Sequence, residues 1–257
     1  MKKILPAAGI IVVILVVGFI FIKSRQNSQS VQQSQVTSTL PLAERPYVSL
    51  TSDSAGHSLK LDATRLSQIK TVEYELVYLA GDVSRGVIGS IDLNIADSLS
   101  RDLLLGSCSK NVCKYDEGVN SGTLTLTLRG QSGNQKYDSP FLLEQGSKDK
   151  KDLTLDDGNF KYSGTLPLKN FFVFASTVGL PKVPDGKVVG GPYGIFSSGD
   201  KKIKGTITIK LAEPTSSVKV LDWDGSSWKE ISSGLETDGQ SVSVDINTLG
   251  TFVVVAS

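Results

Sequence analysis

The chain has 257 residues, enough for one large domain or two ordinary ones. Its 27 Lys and Arg residues nearly balance its 26 Asp and Glu residues, so there is no basic surplus of the kind that binds nucleic acid. We therefore predict no nucleic-acid partner. The abundance of Thr, Ser, Gly and Val favours strands and turns over packed helices.

The first predicted element is a transmembrane helix over residues 4–22, preceded by a short flank at residues 1–3. It reads ILPAAGIIVVILVVGFIFI and contains no charge. At about 1.5 Å per residue, such a helix spans about 28 Å, close to the roughly 30 Å hydrocarbon core of a bilayer. A cleaved signal peptide is the competing interpretation, but its apolar core is usually about 7–15 residues and ends in small residues. We therefore predict an uncleaved, single-pass anchor whose partner is the lipid bilayer.

A polar linker is predicted next, over residues 23–46. It is rich in Gln and Ser and has no hydrophobic periodicity, so it cannot bury enough apolar area to offset the entropy of ordering. Lys2, Lys3 and the N-terminal amine favour a cytoplasmic N-terminus. The expected location is the cell membrane, with everything after the linker outside the cytoplasm.

From residue 47 onward the hydrophobic period is two, which is typical of strands with one buried face. The clearest alternating segments are residues 47–50, 72–78, 123–128, 203–211 and 241–246, and a last strand is predicted at residues 251–256. Two hairpins are predicted, one within residues 153–162 and one within residues 218–231, because each segment has turn residues at its middle. We expect an all-β fold with two antiparallel β-sandwich domains, at residues 47–146 and 147–257, or else one larger sandwich. The Gly/Pro-rich passage at residues 177–194 is predicted to be a long loop.

The C-terminal forty residues resemble the last strands of β-sandwich modules in bacterial surface proteins. The residues that carry the likeness are Trp223, Gly225, Trp228, Gly250, Thr251 and Phe252. The first half, with its YELVY strand, is similar in style to fibronectin type III and immunoglobulin-like sandwiches, but it lacks the distant Cys…Trp…Cys spacing of true immunoglobulin domains. These families are mostly structural or adhesive, so the resemblance implies a role of that class.

Cys108 and Cys113 are the two cysteines, and their spacing would let them face each other across a hairpin. In an oxidising compartment we expect a disulfide that contributes roughly 2 kcal/mol. Metal binding is disfavoured because His57 is the one histidine and lies far from both cysteines. His57 is expected in an exposed turn, and a nucleophilic cysteine beside it is a weaker alternative. We expect no cofactor and no metal.

Trp223 and Trp228 flank a predicted turn at Asp224-Gly-Ser-Ser227. The favoured interpretation is a cross-strand pair, and the alternative is a ligand-binding surface that stacks on sugar rings. Asp222 and Asp224 superficially resemble a calcium loop, but loop position 12 is Ser233 rather than Glu, so a hairpin turn is favoured.

No catalytic motif accompanies these residues, and the leading hypothesis is a non-enzymatic envelope protein with a structural, adhesive or interaction role. Its partner would be an envelope protein or a glycan. Two alternatives stay open: a glycan-binding module that uses Trp223 and Trp228, and an envelope hydrolase that uses carboxylates.

Overall fold

The computed structural model describes residues 40–110, 112–131, 133–199, 202–215, 217–232 and 235–256. These residues form strands and one 3-10 turn at Leu42–Glu44, and the strand pairings are antiparallel, so the predicted all-β class is confirmed. Among these residues, no helix has the length and apolar character needed to cross a membrane. The predicted anchor at residues 4–22 and residues 23–39 of the predicted linker lie outside the described residues.

The first nine strands run from residue 47 to residue 154. They are β1 (Tyr47–Ser52), β2 (Ser58–Thr64), β3 (Ile69–Ala80), β4 (Val83–Asp92), β5 (Ser98–Leu104), β6 (Gly106–Ser109), β7 (Val112–Tyr115), β8 (Val119–Gly130) and β9 (Gly133–Thr154). Strands β1, β2 and β5 form a three-stranded sheet, β6 and β7 form a separate hairpin, and the others belong to a twelve-stranded sheet.

The remaining eight strands all join the large sheet. They are β10 (Phe160–Ser176), β11 (Val188–Phe196), β12 (Lys204–Lys210), β13 (Val218–Trp223), β14 (Trp228–Ile231), β15 (Glu236–Thr237), β16 (Ser241–Ile246) and β17 (Gly250–Ala256). The two predicted hairpins are present as β9–β10 and β13–β14.

Two hydrophobic cores stabilise this arrangement. The first lies between the three-stranded sheet and strands β3, β8 and β9, where alternate residues of each strand point inward. The second is built from strands β10 to β13, β16 and β17. Strand β10 serves both cores: Val173 and Ala175 belong to the first, whereas Phe172 and Phe174 belong to the second. Successive side chains of one strand point to opposite faces, which is how one strand can support two cores.

The large sheet branches at β10. One edge of β10 pairs with β12 near its start and with β11 near its end, while β9 pairs along the other edge. The first branch continues from β12 to β16 and β15, and the second continues from β11 through β17 and β13 to β14. Because both branches contribute side chains to the second core, the sheet curls around that core and brings the two branch ends to neighbouring positions.

The prediction of a long loop over residues 177–194 is wrong for its second half. Strand β11 begins at Val188 and pairs with both β10 and β17. Its ladder with β17 shifts register on either side of Gly190, so the glycines and Pro192 are accommodated at irregularities. Gly and Pro are ordinarily signals against a central strand, which explains the wrong prediction.

The end of the predicted linker and the predicted domain boundary both lie within the described residues. Residues 40–46, assigned to the linker, pack on the β-rich region: the Leu40 N–H donates to the Tyr137 hydroxyl, and the Arg45 guanidinium lies 5.6 Å from the centre of the Tyr137 ring. The predicted domain boundary at residues 146/147 falls inside β9, beside an irregularity in its ladder with β10. The described residues belong to one compact unit, and the division into two domains stays a prediction.

Candidate functional site

A cleft of about 1070 Å³ opens between the ends of the two branches. Its walls come from Lys150 of β9, the middle of β10, the start of β12, Asp222 of β13, most of β14 and the end of β16. Strand β14 pairs with β13 alone among the described residues, and β16 pairs with β15 only at Val242 and Ser243. The cleft therefore exists because two strand edges face each other without pairing.

Asp222 is the most deeply buried charged group of the cleft. Alternation along β13 places it on the same face as Val218 and Val220, which belong to the second core, and it is 6% exposed. The Thr248 hydroxyl donates a hydrogen bond of 2.8 Å to Oδ2 of Asp222. Oδ1 packs against Gly250 and has no hydrogen-bond partner among the described residues.

This environment raises the pKa of Asp222 to about 6. Burial is the main cause, because it disfavours the charged carboxylate, and the negative charge of Asp224 adds to it. The hydrogen bond from Thr248 and the charge of Lys229 act in the opposite direction. The Asp222 carboxyl is therefore ionised at neutral pH only at a cost in free energy.

Asp224 lies two residues away, and its pKa is shifted in the opposite direction. Its pKa is lowered, first by the hydrogen bond from Lys229 at 2.9 Å and then by hydrogen bonds from the backbone N–H groups of Ser227 and Ser226 and from the Ser226 hydroxyl. These bonds close the β13–β14 turn around Oδ1 of Asp224, as the hairpin interpretation requires. No group of three His, Cys, Asp or Glu side chains that could hold a metal ion occurs within the described residues.

Trp223 and Trp228 lie on the other face of this hairpin. They are direct cross-strand partners, and their rings meet edge-on with centroids 5.3 Å apart. The Trp228 indole N–H donates a hydrogen bond of 2.8 Å to the Lys182 carbonyl. Trp228 also packs on a small cluster that includes Leu221 and Val253. The structure thus brings the two tryptophans together as a half-buried pair, away from the walls of the cleft.

Cys108 and Cys113 are joined by a disulfide, with an S–S distance of 2.05 Å, across the β6–β7 hairpin. The predicted pairing is therefore present, and Cys113 has no thiolate to act as a nucleophile. His57 is not the freely exposed turn residue that the sequence predicts. It is half-buried, because its ring stacks on Tyr115 of the hairpin at 3.9 Å with an interplanar angle of 6°.

One feature of the sequence marks the position of the cleft. Val218, Val220 and Asp222 alternate on one strand, so a carboxylate stands where the pattern calls for a core residue. Such a residue marks an unusual polar site inside a core. Thr248 and the cleft lysines carried no comparable signal, because their placement depends on how the branches curl.

Comparison with known proteins identifies no relative of this chain. No protein-family model matches the sequence, no curated protein matches it significantly, and no solved structure matches its fold significantly.

Proposed function

We propose that this protein is a non-enzymatic, membrane-tethered interaction module that binds a polar polymer of the cell envelope in the cleft beside Asp222. The observation that carries the proposal is the cleft itself, whose walls combine hydroxyl, amide and charged side chains with a few apolar ones. Its polar members include Thr165, Thr206, Ser232, Asn247 and Thr248. Ligand sites are concave and use a limited set of such groups to orient the ligand.

The location outside the cytoplasm is part of the same proposal. The apolar segment at residues 4–22 supports a bilayer anchor, and the polar residues that follow it support a tether. The Cys108–Cys113 disulfide is what an oxidising compartment favours.

A carboxylate hydrolase is the enzymatic alternative, and the raised pKa of Asp222 is the observation that favours it. A general acid must reach its substrate within hydrogen-bonding distance. Oδ2 of Asp222 is held by Thr248, and Oδ1 is fully covered beside Gly250. We therefore favour binding over hydrolysis, because neither oxygen faces a ligand freely.

Sugar stacking on Trp223 and Trp228 is the second binding alternative. Both rings are only half-buried, which leaves part of each ring for a ligand. Their mutual contact and the bond from Trp228 to Lys182 instead support the cross-strand role. Changing each tryptophan to alanine and measuring binding to a glycan array tests this alternative, provided that the variants keep their fold.

The cleft is tested by filling it. Thr165 is exposed and lines the cleft, so Thr165→Trp should block it without disturbing either core. Thr64→Trp, at an exposed position near the end of β2, is the matched control. With full-length protein in detergent, we expect Thr165→Trp to abolish binding to isolated envelope polysaccharide and Thr64→Trp to leave it intact. Equal binding by both variants and the wild type would reject the cleft as the site.

The location is tested with an impermeant maleimide on intact cells. The two cysteines should be labelled from outside, and only after reduction of the disulfide. Labelling that requires cell lysis would place this region in the cytoplasm and would contradict the proposal.

A further inference from the structure

The cleft beside Asp222 continues into a second one. A smaller cleft of about 410 Å³ shares Thr165 and Lys204 with it. The smaller cleft is lined by residues 147–148 of β9, residues 165–168 of β10 and residues 202–204, which lead into β12. The two together form a groove that passes over β10 and β12. A groove of this extent suits a chain of linked units better than a single small molecule.

Lysine side chains line this groove along its whole length. They are Lys148, Lys150, Lys202, Lys204 and Lys229, and all five are exposed. Lys229 is already paired with Asp224 at 2.9 Å, and Lys150 lies 3.9 Å from Asp152. No carboxylate lies within 4.0 Å of the ammonium groups of the other three in the described part of the chain.

The acidic side chains of the groove are each engaged or covered. Glu230 pairs with Lys219 at 3.0 Å, and Asp245 accepts a 2.7 Å hydrogen bond from Thr206. Asp222 is buried and held by Thr248. The groove therefore presents more positive than negative charge to solvent, on a chain whose formal net charge is only +1.

From this arrangement we infer that the groove binds a linear acidic glycan, a sugar chain that carries anionic groups at intervals. The threonine, serine and asparagine side chains of the cleft supply donors and acceptors for sugar hydroxyls. Lys148, Lys202 and Lys204 supply the charge for the anionic groups of the glycan. The inference rests on the proposed function, since it names the ligand class of the same cleft.

The test compares two charge reversals of equal size. Lys148→Glu/Lys204→Glu alters the groove, whereas Lys70→Glu/Lys136→Glu alters exposed lysines of β3 and β9 that line neither cleft. Full-length protein in detergent is titrated with oligogalacturonate and with heparin, with neutral dextran of similar length, and with a charge-matched DNA duplex. We expect both acidic probes to bind and dextran to bind much more weakly. The groove variant should bind the acidic probes about tenfold or more weakly than the wild type, and the control variant should bind within about twofold.

Salt gives a second readout of the same contacts. Binding to the acidic probes should weaken as salt rises from about 0.05 M to about 0.5 M, because exposed charges are screened more strongly at high ionic strength. This loss should be smaller in the groove variant than in the control variant. The outcomes that overturn the inference are equal affinity for dextran, equal affinity for a charge-matched DNA duplex, and equal weakening in the two variants.

The two proposals can fail separately. If Thr165→Trp abolishes binding to envelope polysaccharide but neither acidic probe binds the wild type, the acidic-glycan inference is wrong and the cleft proposal stands. If Thr165→Trp has no effect on binding to envelope polysaccharide, the cleft proposal is wrong, whatever the acidic probes do.

Discussion

Replacing Asp222 by asparagine tests how the buried carboxylate affects stability. Burial raises the pKa of Asp222 in the folded chain from the ordinary 3.8 to about 6. Between these two pH values, the folded chain holds a proton that the unfolded chain has released, so the free energy of unfolding falls as pH rises through this range and stays low above it. One pKa unit corresponds to about 1.4 kcal/mol, so ionised Asp222 should destabilise the fold by up to about 3 kcal/mol at neutral pH.

Asparagine has nearly the same shape, carries no charge at any pH and keeps an oxygen for the hydrogen bond from Thr248. Asp222→Asn should therefore match the wild type in stability near pH 4 and exceed it by roughly 2–3 kcal/mol near pH 7.5. The measurement is urea denaturation of full-length protein in detergent at several pH values, followed by tryptophan fluorescence. A stability difference that does not change with pH, or a wild type that is the more stable at neutral pH, would refute the reasoning.

Asp224→Asn is the matched control, two residues away. The pKa of Asp224 is lowered by Lys229 and by the turn N–H groups, so its ionised form stabilises the fold. That stabilisation is present above the ordinary pKa and is lost as pH falls through the lowered folded pKa. The variant should therefore be less stable than the wild type at neutral pH, and the difference should shrink in acid. The two neighbouring substitutions are expected to act with opposite sign.

Three further substitutions probe the surroundings of the site and the exposed hairpin. Trp228→Phe removes the hydrogen bond to Lys182 and should cost about 1 kcal/mol in urea denaturation, whereas an unchanged midpoint would mean that this bond adds nothing. Gly250→Ala would place a Cβ against Oδ1 of Asp222 and 2.7 Å from the Trp223 carbonyl oxygen, and it should cost about 1–3 kcal/mol, or more if the strand cannot shift. Changing Cys108 and Cys113 to serine should lower stability by about 2 kcal/mol. Reductant should lower the melting temperature of the wild type and leave that of the serine variant unchanged.

Local patterns were sufficient to predict most strands. Val72 to Tyr78 and Leu124 to Leu128 alternate, and their apolar members fill the first core as expected. The strand from Val188 was missed, because its glycines and Pro192 are ordinarily signals against a central strand. They are accommodated because β17 pairs with the strand on both sides of the irregularities, and β10 pairs with its last four residues. That support comes from residues distant in the sequence.

The cleft could not be predicted from local sequence patterns, for a related reason. Its walls come from six strands, and their approach is set by the branching of the sheet at β10 and its curl around the second core. Sequence reasoning singled out Trp223 and Trp228, which form a pair, and it treated Asp222 as one residue of a turn motif. It had no means to place Lys148 beside Lys204, since the pairing of β9, β10 and β12 is what brings them to one groove.

Strand β10 carries Phe172 and Phe174 on one face and Val173 and Ala175 on the other, each pair inside a different core. If either core unfolded, one face of β10 would be exposed to solvent, and the other core depends on the same strand. Denaturation of this region should proceed as one cooperative transition rather than two, and a cut at residues 146/147 should yield fragments that aggregate rather than two separable pieces.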